Sequence, residues 1–274
     1  MDTWAIYRRK KRVYVSIIGG FGNNLFQVST GFAFEKLGYQ VKFDISAVKG
    51  KKLEILDIPD LGDYFADRVA RWTRFIPSPI GKWGRFTRCF SKYILGATPW
   101  INLDSDGSLP SDYENNYFIS GYWQSLEIAS HFPDFDYFNP GIKKNKVAIH
   151  VRRGDMIVNV TQPMDAYFRS CLAQIMIEHP HTNFNVTVYT DDYNYCKTKL
   201  EIGNSFEVKM GGSTLEDFLG LIDAEYLIMS RSTFSWWAGY LSKGNIFSPA
   251  PWDKTSHHDE REILLKKWTQ ITSN

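Results

Sequence analysis

The stretch VAIHVRRGDM, residues 147–156, joins an apolar run to two adjacent arginines, a glycine and an aspartate. The apolar and β-branched residues before Arg152 predict a buried parallel strand. Ligands of open α/β sheets bind outside the carboxyl ends of the strands, and this strand ends in two permanent positive charges. Because each guanidinium offers a planar fork of donors, Arg152 and Arg153 suit a pyrophosphate group.

Two other interpretations of this turn compete with anion binding. Arg153-Gly154-Asp155 also forms an adhesion tripeptide, which needs an exposed loop tip in a secreted protein, and nothing else in the sequence supports that setting. Alternatively, Asp155 is a structural partner of one of the arginines. The strand before the turn is predicted in every case.

Strand and helix patterns alternate on the carboxyl side of this stretch. The residues KKNK, 143–146, are interpreted as a linker in front of its strand. The elements predicted after it are helices at about 165–178, 214–224 and 232–244, and strands at 183–192, 225–230 and 245–251.

The N-terminal part contains a second block of the same kind. Prolines break the pattern between about 51 and 140, where only 118–132 predicts a strand, a turn and a helix. The regular elements predicted ahead of that region are a strand at 13–20, a helix at 23–39 and a strand at 40–46.

Two blocks of this kind predict an α/β protein with two doubly wound, Rossmann-like domains. A length of 274 residues fits two domains of common size. The first is expected to span 1–142 with the irregular insertion, and the second 143–274. A last helix is expected to pack back on the first domain.

The starts of two predicted helices suit ligand binding. Gly19, Gly20 and Gly22 let backbone amides approach a ligand at a positive helix terminus. This is not a complete dinucleotide fingerprint, because Leu25 stands at the third glycine position. Asp44, at the end of the next strand, occupies the place of a ribose-binding acid, so a redox enzyme that binds NAD stays a minor alternative.

The stretch SRSTFSWW, 230–237, offers a third candidate site at a strand-to-helix turn. Its hydroxyl side chains and backbone amides form a helix N-terminus that accepts an anion. Its aromatic residues, Phe234, Trp236 and Trp237, are interpreted as helix-packing residues and not as a platform for a sugar.

The charge balance argues against nucleic acid as a partner. The formal net charge is +2, whereas a surface that follows phosphates needs a strong basic excess. The segment 68–103 contains basic and aromatic residues but no Asp or Glu. Such a segment suits contact with an anionic lipid surface, and a solvated helix face is the alternative.

Cysteine usage and the N-terminus favour a cytoplasmic protein. Three cysteines are an odd number, so neither a disulfide framework nor a thiolate metal site is indicated. No segment suits a secretion signal or approaches the ~20 apolar residues of a membrane helix. We expect a cytoplasmic chain, held at the inner face of a membrane if the basic segment contacts lipid.

Signals for a metal site are weak. Asp191-Asp192 and Asp104-Ser-Asp106 could chelate a divalent ion, yet Asp and Ser are also ordinary turn residues. No Walker lysine loop, nucleophile elbow or paired-histidine zinc helix occurs. No metal ligand is therefore assigned.

Three motifs in register resemble one family. GGFGNNLFQ (19–27), IHVRRGDM (149–156) and DFLGLIDAEYLIMSRSTFSWWAGYL (217–241) are similar to the glycine loop, the arginine motif and the Ser-Thr-Phe-Ser-Trp-Trp motif of the α1,2-fucosyltransferases of glycosyltransferase family 11. SGYWQS (120–125) also resembles a family segment.

The resemblance implies a GT-B arrangement, in which two Rossmann-like domains face across a cleft. The C-terminal domain would hold the donor GDP-fucose and the N-terminal domain the acceptor, without cofactor or metal. The implied reaction is inverting transfer of fucose to the 2-hydroxyl of a terminal galactoside, on a lipid-linked oligosaccharide such as an O-antigen precursor. An inactive nucleotide- or sugar-binding protein of the same fold is the alternative.

The resemblance also implies roles for single residues. Arg152 and Arg153 would hold the pyrophosphate, with Arg152 stabilising the departing GDP. Asp217 would read guanine, and His150 would lie against the nucleotide or acceptor. The remaining expected contacts are Ser232, Thr233 and Phe234 with the phosphates, and Gly20, Gly22, Asn23 and Asn24 over the donor.

The general base and the departures from the family pattern leave the acceptor geometry open. Asp155 is the first candidate base, although pairing with an arginine would lower its basicity. Asp44 is the second, and in a third alternative the departure of GDP leads so far that no strong base is needed. The departures are Asn24 in the glycine loop, Met156 after the arginine motif, and Met229 and Arg231 before Ser-Thr-Phe.

Overall fold

The computed structural model describes residues 11–70, 100–102, 109, 117–154, 164–203, 205–252 and 263–272. The chain divides into two compact units, 1–133 and 134–274, where the sequence predicts a boundary after 142. Both units combine helices with parallel strands, which confirms the predicted α/β class with two Rossmann-like units. The cleft between them stays a prediction.

Unit 1, residues 1–133, is built around a parallel sheet. Its described strands are β1 (Arg12–Ser16), β2 (Gln40–Asp44), β3 (Trp100–Asn102) and β4 (Tyr117–Ser120), and its helices are α1 (Phe21–Lys36), α2 (Leu61–Ala66) and α3 (Leu126–Ala129). The strand order is β2-β1-β4-β3. The order therefore reverses between β1 and β4, so the loops that follow these two strands lie side by side.

Helix α1 packs closely on the sheet of unit 1. A side chain at Gly31 would meet the Phe43 ring of β2 at 2.8 Å, so glycine is needed for this approach. Leu25, Phe26 and Val28 of the same helix are fully buried. The close contact holds the second half of α1 against β2.

Unit 2, residues 134–274, contains the longer sheet. Its described strands are β5 (Lys143–Val151), β6 (Asn185–Thr190), β7 (Glu207–Lys209), β8 (Ala224–Ile228), β9 (Asn245–Ala250) and β10 (Thr269–Thr272). Its helices are α4 (Asp165–Glu178), α5 (Tyr193–Thr198), α6 (Thr214–Ile222) and α7 (Thr233–Leu241).

The strand order in unit 2 is β10-β9-β8-β5-β6-β7, with every pair parallel. The chain builds β5, β6 and β7 outward on one side and then returns to build β8, β9 and β10 on the other. This is the doubly wound order of dinucleotide-binding folds, and its reversal lies between β5 and β8. The sequence motifs after those two strands therefore meet at the position where such sheets bind ligands.

The interpretation of residues 143–146 as a linker is wrong, because these residues form the first half of β5. The buried Asp223 holds them: its carboxylate pairs with Lys143 at 2.6 Å and with Lys146. Burial lowers the pKa of Lys146, while the Asp223 contact opposes that shift. Lysines that look like a solvated linker in the sequence thus form part of a strand and pair with a buried carboxylate of the neighbouring segment.

Short elements account for most differences from the predicted pattern. Helices α2 and α5 and strands β7 and β10 are too brief to produce a recognisable period. The last described element, β10, is a strand that pairs with β9, so the expected last helix is not among residues 263–272. In the described part of the chain, no helix is both long and apolar enough to cross a lipid bilayer.

Candidate active site

The arginine turn and the start of helix α7 meet at the edge of the unit 2 sheet. Strands β5 and β8 are direct neighbours, so Arg152 and Arg153 leave the sheet beside residues 230–232. A side-chain hydrogen bond joins the two segments, because His150 Nδ1 lies 2.8 Å from the hydroxyl oxygen of Ser230. The parallel sheet thus unites two motifs that lie about eighty residues apart in sequence.

Asp191 fixes the backbone of the arginine turn. The N–H groups of Arg153 and Gly154 donate to its two carboxylate oxygens at 2.8 and 3.0 Å. Arg152 Nη1 lies 3.0 Å from the same carboxylate. Asp191 follows β6, the strand next to β5, so the sheet order itself delivers this partner.

The two arginines have different surroundings. The guanidinium of Arg153 lies 3.4 Å from the centre of the Tyr195 ring, and its Nε donates to Asp192 at 3.3 Å. The side chain of Arg153 is 25% exposed, whereas that of Arg152 is 41% exposed. Of the two, Arg152 therefore has the greater access to an incoming anion.

Glycine is required after the arginines. A Cβ atom at Gly154 would lie 2.8 Å from the Asp191 carboxylate, which receives the Gly154 N–H. A larger residue would push that carboxylate away from the turn. Asp155 and Met156, the next residues, lie outside the described part of the chain.

The start of α7 is capped and anchored. Ser232 adopts an extended conformation, and its hydroxyl accepts the N–H of Phe234 at 3.3 Å. The Ser235 hydroxyl donates to the Ser230 carbonyl at 2.9 Å. The helix N-terminus, half-buried at Thr233, therefore points its partial positive charge at the arginine turn's edge of the sheet.

The aromatic residues of α7 pack the helix in place. Trp236 and Trp237 are fully buried, which confirms their interpretation as packing residues. The half-buried ring of Phe234 lies 5.2 Å from that of His150 and 5.1 Å from that of Phe218. Phe234 thus joins the arginine strand to helix α6, as expected of a packing residue, and its implied contact with the phosphates stays a prediction.

His150 lies below the surface of the site. It is only 7% exposed, and burial together with the Arg152 charge lowers its pKa to about 4. A neutral ring bonded to Ser230 and packed on Phe234 supports the site from beneath. Its expected contact with the nucleotide or acceptor stays a prediction.

We expect unit 2 to lose stability as the pH falls, because His150 must gain a proton once the chain unfolds. Its pKa is about 4 in the fold and about 6.5 in an unfolded chain, so stability is constant above the higher value. Between pH 7.5 and 5 the contribution of His150 to the free energy of unfolding falls by about 2 kcal/mol. Urea unfolding of wild type and His150→Gln at both pH values measures it. The control variant His181→Gln, at an exposed histidine, should lose as much free energy of unfolding between these pH values as wild type does. An equal loss in His150→Gln would contradict the assignment of this loss to His150.

A cavity of about 350 Å³ lies at the start of helix α6. Asp217, in the first turn of α6, lines it, and burial raises the pKa of this carboxyl. The other lining residues are Tyr189, Val208, Lys209, Met210, Gly212 and Glu216. The lining is more polar than apolar, with two carboxylates and one lysine beside the apolar surfaces of Tyr189, Val208 and Met210.

In unit 1, Gln27 ties the glycine loop to the loop after β4. Its amide oxygen accepts the Ile18 N–H at 3.0 Å, and its amide nitrogen donates to the Gly121 carbonyl at 3.0 Å. Asn24 is buried and donates to the Ile18 carbonyl at 3.0 Å. Asn24 and the buried Gly22 therefore stabilise the loop from inside, while Gly20 is exposed, and the expected contact of this loop with a donor stays a prediction.

Asp44 is unsuited to the role of general base in this conformation. The side chain is fully buried, and one carboxylate oxygen accepts the Ser46 N–H at 2.9 Å. Burial raises the pKa of the carboxyl. Its other oxygen has no partner among the described residues, but it does not reach the surface where an acceptor or ribose would bind.

Comparison with known proteins assigns the chain to a family. The family model described as Glycosyl transferase family 11 matches residues 108–272, more than half of the chain. The chain belongs to glycosyl transferase family 11. This confirms the resemblance seen in the three sequence motifs.

The family 11 chain is similar to curated proteins and to solved structures. Escherichia coli alpha-1,2-colitosyltransferase is 26% identical, over 94% of this chain and 98% of that protein. The provisionally named Caenorhabditis elegans galactoside 2-alpha-L-fucosyltransferase svh-11 is 27% identical, over 82% of this chain and 66% of that protein. The structure of fucosyltransferase NodZ from Bradyrhizobium is 13% identical, with a TM-score of 0.44, over 85% of this chain and 93% of that one.

Two departures from the family pattern are explained by local packing. The buried sulfur of Met229 fills the space beside Gly239, where a Cβ atom would approach it to 2.7 Å. Arg231 donates through Nε to the Pro251 carbonyl at 3.0 Å. Met229 and Arg231 therefore pack the segment before α7 against Gly239 and Pro251. The Ser-Thr-Phe turn of this glycosyltransferase is left in place.

Asp191 and Asp192 are the site residues that sequence reasoning missed. In the sequence they resemble only weak metal ligands or turn residues, yet they pair with both arginines. The available signal was their position at the end of a predicted strand, the same feature that singled out the arginines.

Proposed function

We propose that this family 11 glycosyltransferase transfers fucose from GDP-fucose to the 2-hydroxyl of a terminal galactoside on an oligosaccharide, with inversion and without a metal. The observation that carries the proposal is the arginine turn beside the α7 N-terminus at the strand reversal of unit 2. Guanidinium groups and helix N-termini are the donors that suit a diphosphate. The names of the curated relatives support the sugar class and the 2-position of the linkage.

Arg152 and the α7 N-terminus would stabilise the leaving group. As the bond between sugar and diphosphate breaks, negative charge grows on the diphosphate, and fixed donors placed there lower the barrier. Arg153, held by Asp192 and the Tyr195 ring, would mainly keep the turn in shape. A side-chain cation and helix amides would thus supply the charge neutralisation that a divalent ion gives in other transferases.

The cavity beside Asp217 suits the base of the nucleotide. A carboxylate offers two acceptor oxygens, which match the adjacent ring N–H and amino group of guanine. Tyr189 and Met210 supply apolar wall for the flat base. Asp217 in the first turn of α6 therefore keeps its expected role as the guanine reader within this proposal.

The general base is assigned to Asp155 in this proposal. Asp191 and Asp192 pair with the two arginines, so the turn has structural partners of its own, while Asp155 lies outside the described residues. The buried Asp44 is the poorer candidate. The acceptor's 2-hydroxyl would lose its proton to Asp155 while its oxygen attacks the anomeric carbon from the face opposite GDP.

Transfer of colitose is the second candidate. The colitosyltransferase from Escherichia coli matches nearly the full length of this chain. Fucose and colitose are both 6-deoxy sugars and differ by one hydroxyl group, so a site for one differs from a site for the other by few contacts. The same arginine turn would serve either donor.

The test is a transfer assay in EDTA. We expect the purified chain to fucosylate lactose from GDP-fucose at an undiminished rate when EDTA is present, and to leave maltose, which lacks galactose, unmodified. A parallel assay with GDP-colitose ranks the two donors. Strict dependence on added metal, or transfer to no galactoside, would contradict the proposal. Calorimetric GDP binding without any consumption of either donor would instead identify an inactive binding protein.

A further inference from the structure

We infer that Tyr122, Asn23 and Gln124 form a subsite for a neutral sugar ring in unit 1. The inference rests on the proposed function, because the ring it would hold is the acceptor galactoside. The resemblance to the family placed Asn23 over the donor, whereas the surroundings of this residue in the structure favour an uncharged ligand.

The subsite lies at the strand reversal of the unit 1 sheet. Strands β1 and β4 are neighbours there, and the loops after them begin at Ile17 and Gly121. Gln27 bonds to both loops and holds them together. Open α/β sheets bind ligands at such a reversal, so the position alone directs attention to the side chains that the two loops expose.

The backbone after β4 presents Tyr122 to solvent. Its side chain is 46% exposed, while the next residue, Trp123, is buried against Phe34 with ring centres 6.4 Å apart. Trp123 has a φ of 55°, a conformation that is rare for a bulky residue. The buried Trp123 ring thus stabilises the strained backbone at this position, and that backbone keeps the Tyr122 ring exposed to solvent.

Two amide side chains lie next to this ring. Gln124 Nε2 donates to the Asn23 oxygen at 3.1 Å. Within the described residues, the Gln124 oxygen, the Asn23 amide nitrogen and the Tyr122 hydroxyl have no hydrogen-bond partner of their own. The subsite therefore offers an acceptor, a donor and a hydroxyl beside an aromatic face, which matches adjacent hydroxyls on one side of a pyranose and C–H groups on the other.

Gly19 makes this arrangement possible. A Cβ atom there would lie 2.7 Å from the Asn23 amide nitrogen and 3.2 Å from the Tyr122 ring. Gly19 also has a φ of +77°, which favours glycine. The missing side chain lets the amide and the ring lie close enough to contact one ligand.

The absence of charge selects the class of ligand. No Asp, Glu, Lys or Arg occurs within 16–27 or 117–126, the two stretches that form the subsite. An anionic diphosphate would find no cation in either stretch, whereas a sugar needs only neutral hydrogen-bonding groups and an apolar face. The subsite is therefore assigned to the hydroxyl-rich acceptor.

Steady-state kinetics with lactose and GDP-fucose test the inference. We expect Tyr122→Ala to raise the KM for lactose about tenfold, as loss of roughly 1.4 kcal/mol of ring contact implies. Tyr122→Phe, which keeps the ring, and Gln124→Ala should each raise it only a few-fold. The KM for GDP-fucose should not change in any of the three. Leu56→Ala, at an exposed apolar residue elsewhere in unit 1, is the matched control.

The outcomes separate this inference from the proposed function. If wild type transfers fucose while Tyr122→Ala and Gln124→Ala keep the wild-type KM for lactose, the subsite is wrong and the function stands. If wild type transfers nothing, saturation-transfer NMR with methyl β-galactoside still decides the subsite. The subsite is supported if saturation-transfer signals of the galactoside appear with wild type and Leu56→Ala and are lost with Tyr122→Ala. It is overturned if these signals are absent with wild type or persist with Tyr122→Ala.

Discussion

Replacing Arg152 by lysine is expected to lower kcat about a hundredfold, the usual effect of removing one donor that stabilises a transition-state charge. Lysine keeps the positive charge but loses the planar fork, and its shorter reach changes both the contact with Asp191 and the contact proposed with the diphosphate. Because the charge remains, the KM for the donor should change less than kcat. Single-turnover kinetics with GDP-fucose separate the two effects.

Arg169→Lys is the matched control for this substitution. Arg169 is an exposed arginine on α4 of the same unit, and its replacement should leave kcat unchanged. Equal thermal melts of the two variants would show that the turn has not unfolded. A near-normal kcat in Arg152→Lys would contradict the role of Arg152 at the leaving group and would favour Arg153 in that role.

Asp191→Asn is expected to weaken GDP binding by roughly ten- to hundredfold, which corresponds to about 1.5–3 kcal/mol for hydrogen bonds to a charged group. The Asp191 carboxylate accepts two backbone N–H groups and pairs with Arg152. In the asparagine variant an NH₂ group replaces one carboxylate oxygen, and it cannot accept a hydrogen bond from these donors. The turn should then lose its shape. Since water can reach its N–H groups, global stability should fall little.

Calorimetry with GDP and with guanosine locates the defect. Asp191→Asn should lose affinity for GDP but keep its affinity for guanosine, because only the diphosphate would contact the turn. Glu201→Gln, which removes an exposed carboxylate of unit 2, should bind both as wild type does. Tighter GDP binding in Asp191→Asn would reverse the interpretation, since the carboxylate would then compete with the diphosphate for the same donors.

The regular parts of the fold were predictable because their residues carry a strong local pattern. The buried end of β5, with Val147 and Ile149 at 0% exposure, follows directly from its apolar run. Helix α4 occupies the predicted residues 165–178. The rule that ligands lie beyond strand ends then selected Arg152 and Arg153 without any knowledge of the strand order.

The partners of those arginines were not predictable in the same way. Asp155 is next to them in sequence, but the bonds that hold the turn come from Asp191 and Asp192, about forty residues later. Their pairing depends on β6 lying beside β5, and a pattern of buried residues does not give the order of strands. The same limit hid the approach of Tyr122 to Gly19.

Burial was the other property that single residues did not reveal. Asp44 and Asn24 are polar residues at the ends of elements, where exposure is the usual expectation, yet both are enclosed. Each is held by hydrogen bonds to a nearby backbone group, the Ser46 N–H and the Ile18 carbonyl. Such local bonds replace water for a buried polar group, and they appear only once the loops are folded.

In the strand order of unit 2, every strand after the first pairs with a strand that precedes it in the chain. Strand β5 comes first, β6 and β7 lie on one flank, and β8, β9 and β10 follow in turn on the other. We therefore expect that this sheet can grow outward in the order of translation without an exchange of strand partners. In that order the arginine turn would gain Asp191 with the second strand and Ser230 with the fourth.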